Sequence, residues 1–240
     1  MKYQELVVNG CSYMEAYASG KGQDDLAVQL GIPTASSLAI GGSANTRIIR
    51  TTLKHSYQTQ HPTFYVLGMT FLSRLEVPIL ERQSEFEGRW TNPQNQQFVN
   101  DWQYGWTQKE TDQFVEIKLK SEVYSILDRI EDLMYKLVSM INDLKIRGHG
   151  VLVYQQADDV YNHHINDARL ELFRTTNNIV GGYAWKAIEW QHEQGVPVMQ
   201  YKKSSLAHEV PEKWMHRDPE HYQILNKFLV DYIRQYSLLD

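Results

Sequence analysis

The segment VVNGCSYMEAY, residues 7–17, sets Ser12 behind a short apolar run and the pair Gly10-Cys11. A serine hydroxyl becomes a useful nucleophile when a base takes its proton and fixed donors hold the oxyanion that develops on the attacked carbonyl. Three groups could supply those donors. The N–H of Ser12 is one, if a helix starts there. The N–H of Gly42 is another, with no side chain to obstruct approach. The side-chain amide of Asn45 is the third. His216 and His221, in EVPEKWMHRDPEHYQILNKFLVDYI, are each able to act as the base. Plainer roles stand beside these: Ser12 as a helix N-cap, Gly41-Gly42 as a tight turn, and the two histidines as surface or cap residues. Cys11 reads as a small buried apolar residue.

These residues are useful only if the chain brings them together. Apolar runs bounded by Gly or Pro predict strands at 5–9, 37–40, 63–70, 150–155 and 196–201. Helical periodicity predicts helices over 24–31, from Ser43 to Gln58 with Ser43 as N-cap, and over 121–147 with Gly148 as a stop. Two more are predicted at 182–193 and 219–236. Alternating strands and helices imply crossover units, hence a mostly parallel sheet of about five strands in a three-layer α/β/α sandwich. Ligands on such sheets bind beyond the carboxyl ends of the strands. Gly10-Cys11-Ser12, Gly41-Gly42-Ser43 and Gly68-Met69-Thr70 all fall at that edge. Residues 83–113 lack periodicity and read as a long excursion, with Trp90, Trp102 and Trp106 as a satellite core or a substrate platform.

Bulk properties bound the function. With 240 residues, one domain spanning 1–240 is expected. The net charge of −5 leaves no basic stripe to neutralise a nucleic-acid backbone, so no nucleic-acid partner is expected. No apolar stretch approaches the roughly 18 residues of a membrane span, and Leu6-Val7-Val8 is too short for a signal peptide, so a cytoplasmic location is expected. The single cysteine excludes an internal disulfide. His163-His164 lacks companion ligands at metal spacing, so no metal site is expected. Arg74 either pairs with Glu76 or faces substrate.

The chain resembles the SGNH (GDSL-type) hydrolases, in the phage- and marine-type variant whose first block reads NGCSY. The matching blocks are Asn9-Gly10-Cys11-Ser12-Tyr13, LAIGGSANTRIIR, YVLGMTFLSRLE and HRDPEHYQILNKFL, and together they span most of the chain. The resemblance implies a flavodoxin-like sandwich with Ser12 as nucleophile, Gly42 as an oxyanion donor and a last-block histidine as base. Three departures stand out. Gly-Cys-Ser replaces Gly-Asp-Ser. The third block ends in Thr70 where the family has Asn, so Asn45 is the candidate stand-in and Thr70 joins Arg74 as an expected substrate contact. The last block admits two alignments: Asp218-Pro219-Glu220-His221 keeps the Asp-x-x-His spacing, whereas His216 stands at the family's distance from the following helix. Asp218 or Glu212 would then orient the base.

The resemblance implies a serine esterase or acyl hydrolase that needs no cofactor and acts on a small-molecule or glycan ester, either an acetylated sugar or a lipid-like ester. Two rivals remain at this point. One is a non-catalytic binding module on the same scaffold. The other is a nucleotide-binding flavodoxin-like protein, which lacks both G-x-G-x-x-G and a P-loop.

Overall fold

The computed structural model describes residues 2–41, 43–70, 77–78, 90–91, 126–155, 167–180 and 219–240. Strand β1 (Glu5–Gly10) passes into helix α1 (Ser12–Ser19), then α2 (Gly22–Leu30) and β2 (Thr34–Ser37). Helix α3 (Asn45–Gln58) leads to β3 (Thr63–Met69) and a two-stranded ribbon, β4 (Val77–Pro78) against β5 (Trp90–Thr91). Then follow α4 (Ile126–Ile146), β6 (Gly150–Gln155), a 3-10 turn (Ala168–Leu170), α5 (Glu171–Thr175), β7 (Ile179–Val180) and α6 (Pro219–Gln235). Among the described residues the main sheet has five strands in the order β2-β1-β3-β6-β7, and every pairing is parallel.

Side chains on a strand alternate between its two faces, so a sheet covered on both sides must be apolar at successive positions. This one is. Leu6, Val8, Phe64, Val66, Leu152 and Tyr154 face one way and pack with α1, α2 and α6 through residues such as Met14, Leu26 and Leu229. Val7, Tyr65, Leu67, Met69, Val151 and Val153 face the other way, against Ile48 of α3 and the Ile130, Leu137, Ile141 stripe of α4. The architecture is a three-layer α/β/α sandwich. Among the described residues no helix is long and apolar enough to cross a membrane.

Two expectations need correction, and a third falls outside the described residues. The second strand is Thr34–Ser37, not 37–40. It is the half-exposed sheet edge, so it needs no apolar run, and the more apolar Leu38 and Ile40 follow it. They continue beside β1 only through Leu38 N–H to Val8 O (2.8 Å) and Ile40 N–H to Gly10 O (3.3 Å). Among the described residues a further strand, Ile179–Val180, joins the sheet, and its two residues are too few to carry a periodic signal; the strand expected at 196–201 and the helix expected at 182–193 lie outside the described residues. Ala44, not Ser43, is the N-cap of α3. The Ser43 hydroxyl instead closes the preceding turn by donating to Ile40 O at 2.6 Å.

A polar seam joins α6 to the amino-terminal helices. The buried Tyr17 hydroxyl donates to Asn226 Oδ1, and Asn226 Nδ2 donates to Gly22 O at 3.1 Å. Tyr222 meets Tyr17 edge-on at 5.2 Å between ring centres. Burial, followed by the proximity of Tyr154, pushes the Tyr17 phenol well above its usual value. Because the folded state holds that proton more tightly than the unfolded chain, its contribution is fully present below about pH 10 and is lost as pH rises further. Tyr17→Phe should therefore cost about 1–3 kcal/mol at neutral pH, by stranding Asn226 Oδ1. It should also flatten the decline of stability above pH 10, and urea unfolding from pH 8 to 11 measures both effects.

Candidate active site

The 2-1-3 strand order makes chain connections diverge between β1 and β3, and a crevice at their carboxyl ends is the expected ligand site of such a sheet. Six pairs align the two strands, ending at Gly10 opposite Gly68. Gly10 is required there by space. A Cβ would lie 2.4 Å from Met14 Cγ and 2.9 Å from Gly68 O. That close approach lets β1 turn at once into α1. Cys11, fully buried, is the extended N-cap, and its carbonyl accepts the Met14 and Glu15 N–H groups at 2.9 and 3.0 Å. Ser12 is thus the first helical residue rather than the cap, at the amino end of a helix on the carboxyl edge of the sheet.

Two buried amides tie the carboxyl ends of β1 and β3 to α3. Asn9 Nδ2 reaches Ile48 O (3.0 Å), Thr51 Oγ1 (2.9 Å) and Thr52 Oγ1 (2.9 Å), tying the end of β1 to α3. Asn45 opens α3 and pairs reciprocally with the main chain at the end of β3. Thr70 N–H donates to Asn45 Oδ1 at 2.7 Å, and Asn45 Nδ2 donates to Thr70 O at 3.1 Å. Both residues are buried. The Asn45 carbonyl and one Nδ2 proton are therefore committed to Thr70, and any part in an oxyanion hole falls to the other proton.

Other expected site residues are placed less fully. Ser12 is described by its main chain alone. So is His221, which lies in the first turn of α6. Gly42, Arg74, His216 and Asp218 lie outside the described residues, as do Glu76, His163, His164 and Glu212. The course of α6 is nevertheless informative. Asn226 bonds the start of α2, Arg234 Nη2 donates to Gln29 O (3.0 Å) near its end, and Asp240 meets Lys2 ahead of β1. Helix α6 therefore runs from the carboxyl edge of the sheet to the amino edge. His221 stands five residues, about 7.5 Å along the axis, on the carboxyl-edge side of Asn226.

Sequence reasoning assigned no role to Asn9, Glu15 or Arg47. Arg47 is buried in the first turn of α3, with Nη1 on Ser43 Oγ (3.0 Å) and Leu38 O (3.4 Å). Glu15 Oε2 accepts the Gly41 N–H at 2.7 Å. A polar residue closing an apolar strand, and a carboxylate one helical turn after Ser12, were the available signals. At the opposite edge a cavity of about 480 Å³ opens among Tyr3, Lys145, His149, Asn178 and Leu238. Its imidazole is a structural group: His149 Nδ1 accepts the Thr63 N–H at 3.2 Å, and burial lowers its pKa.

No family model and no curated protein matches the chain. Among solved structures it is similar to the psychrotrophic esterase EstA from Pseudoalteromonas sp. The two share 9% identity over 97% of this chain and 98% of that one, with a TM-score of 0.48. The sandwich architecture given above rests on this chain's own strand order and two cores.

Asn45→Asp tests the amide clamp. A carboxylate can still accept from Thr70 N–H but faces Thr70 O without a proton to give. The variant should lose about 1–3 kcal/mol at pH 7 and regain part of that deficit relative to wild type as acid restores a donor. Urea unfolding at pH 7 and pH 5 reads the difference.

Proposed function

We propose that this chain is one domain with serine ester hydrolase activity of the SGNH kind. The observation that carries the reading is the position of Ser12. It opens a helix directly after β1, at the strand-order switch point, on the edge toward which the amino end of α6 points. In the proposed reaction Ser12 Oγ attacks the ester carbonyl carbon while His216 or His221, oriented by Asp218 or Glu212, takes the hydroxyl proton. The amides of Ser12 and Gly42 hold the tetrahedral oxyanion, with Asn45 contributing at most its second Nδ2 proton. The carbon–oxygen bond to the alcohol breaks as the imidazolium returns the proton to that oxygen. Water then repeats the sequence on the acyl-enzyme, releasing the acid and restoring Ser12. Thr70 and Arg74 are the proposed substrate contacts, and the substrate is an acetylated sugar or a lipid-like ester.

The histidines at the other end of the sheet support drawing the base from the carboxyl-terminal segment. His61 Nε2 lies 3.3 Å and His55 Nε2 4.0 Å from Glu5 Oε2, at the start of β1. His149 immediately precedes β6. The length of β1, about 20 Å at the usual strand rise, separates these three imidazoles from Ser12. A binding module on the same scaffold is the second reading, favoured by the commitment of Asn45 to Thr70 and by Thr70 at the family's Asn position.

Wild type should hydrolyse p-nitrophenyl acetate and react with a fluorophosphonate probe. Ser12→Ala should abolish both, and only one of His216→Ala and His221→Ala should lower turnover by about 10³-fold or more. Labelling that persists in Ser12→Ala removes the nucleophile. A wild-type chain inert to the probe and to a panel of esters leaves the binding module.

A further inference from the structure

The loop between β2 and α3 carries the glycine proposed as an oxyanion donor, and charged side chains from two helices grip that loop. Leu38 and Ile40 extend alongside β1, with their N–H groups on Val8 O and Gly10 O. The peptide joining Ile40 to Gly41 is then held at both ends. Its carbonyl accepts the Ser43 hydroxyl at 2.6 Å and the Ser43 N–H at 3.2 Å. Its N–H donates to Glu15 Oε2 at 2.7 Å. A planar peptide bound at its C=O and its N–H cannot turn about its own axis. From the α3 side, Arg47 Nη1 donates to Ser43 Oγ at 3.0 Å, so the hydroxyl that holds Ile40 O is itself held.

Glu15 is the fourth residue of α1, and Ser12 is the first. Residues three apart lie on one helix face, so the carboxylate that fixes Gly41 rides on the same rigid turn as the proposed nucleophile. With the Gly41 N–H committed, the next amide along the chain is that of Gly42. We infer that Glu15 is a positioning residue: its carboxylate, by accepting the Gly41 N–H, sets Gly41 at a fixed place relative to the start of α1 and so fixes the spacing between the second-block loop and Ser12 that the proposed oxyanion hole requires. The inference rests on the hydrolase reading and adds to it a residue that never touches substrate. The bond joins an ionised acceptor to a main-chain donor, a type about twice as strong as a neutral pair.

The plainer role for Glu15 is a negative charge in the first turn of α1 that favours the helix dipole. The two roles part under substitution. Gln keeps an acceptor at the same reach and loses the charge. Asp keeps the charge and falls short by one methylene. The experiment measures kcat and KM for p-nitrophenyl acetate, fluorophosphonate labelling and thermal unfolding for wild type, Glu15→Gln, Glu15→Asp and Glu15→Ala. Positioning predicts that Glu15→Gln stays within about threefold of wild-type kcat. Glu15→Asp and Glu15→Ala should fall about 10–100-fold with KM nearly unchanged, since displacement of about 1 Å in a catalytic group can cost a hundredfold. Glu15→Asp matching or exceeding Glu15→Gln, or kcat unchanged in all three variants, overturns the inference and leaves the hydrolase reading standing. A wild-type chain that neither turns over nor labels at Ser12 ends both.

Discussion

The six parallel pairs between β1 and β3 are the constraint on which the rest of the molecule depends. They run from Glu5 opposite Thr63 to Gly10 opposite Gly68. Side chains along a strand alternate between faces, so a slip of one residue would turn Leu6 and Val8 toward α3 and α4 and send Val7 toward α1 and α6. Both cores would be lost together. The same register sets the two strands level at their carboxyl ends, with Gly10 opposite Gly68. Close contact at Gly10 completes the arrangement, because only a residue without a Cβ fits between Met14 and Gly68 O.

Polar groups buried in this sandwich gather where the chain must be placed rather than merely packed. Asn9 and Asn45 are neutral amides with both a donor and an acceptor: Asn9 donates to α3 and accepts the Gly10 N–H at the end of β1, and Asn45, itself on α3, spends both on the Thr70 main chain just after β3. An amide can satisfy a main-chain N–H and C=O at once, which neither a carboxylate nor an ammonium group can do. Arg47 and Glu15 extend the scheme to the intervening loop, a cation donating from one helix and an anion accepting on another. The apolar layers hold the helices against the sheet, and these few directional bonds fix the carboxyl ends of β1 and β3 and the loop between β2 and α3.

Polarity also divides the two edges of the sheet. The amino edge gathers His55, His61 and His149 around Glu5, Tyr65 and Thr63, where the imidazoles serve as structural partners. The carboxyl edge holds Ser12, Thr70 and the amino end of α6. A hydrolytic reading therefore depends on the chain that enters α6, and the long-range tie between Asn226 and both Tyr17 and Gly22 is what anchors that helix beside α1.

Much of the sandwich was legible from local pattern. The runs at 5–9, 63–70 and 150–155 mark the central strands because a strand buried on both faces must be apolar throughout. The stripe from Ile130 to Leu144 marks α4 because one face of a helix must meet the sheet. Gly10-Cys11-Ser12 signalled a strand-to-helix turn for the same kind of local reason. The outer strands of the described sheet escaped, since Thr34–Ser37 is half solvated and Ile179–Val180 is too short for any period to register. The fate of Asn45 escaped as well: nothing within its own segment says that its amide meets Thr70, 25 residues away. Nor does anything near Glu15 announce the Gly41 N–H. Sequence by itself determined the central strands and the long helices and which residue types could serve as nucleophile, base or amide donor, because those properties are set by side-chain type and periodicity. Strand order, the pairing of buried amides and the grip on the second-block loop were decided only by the tertiary structure, because they depend on distances between segments that no local pattern encodes.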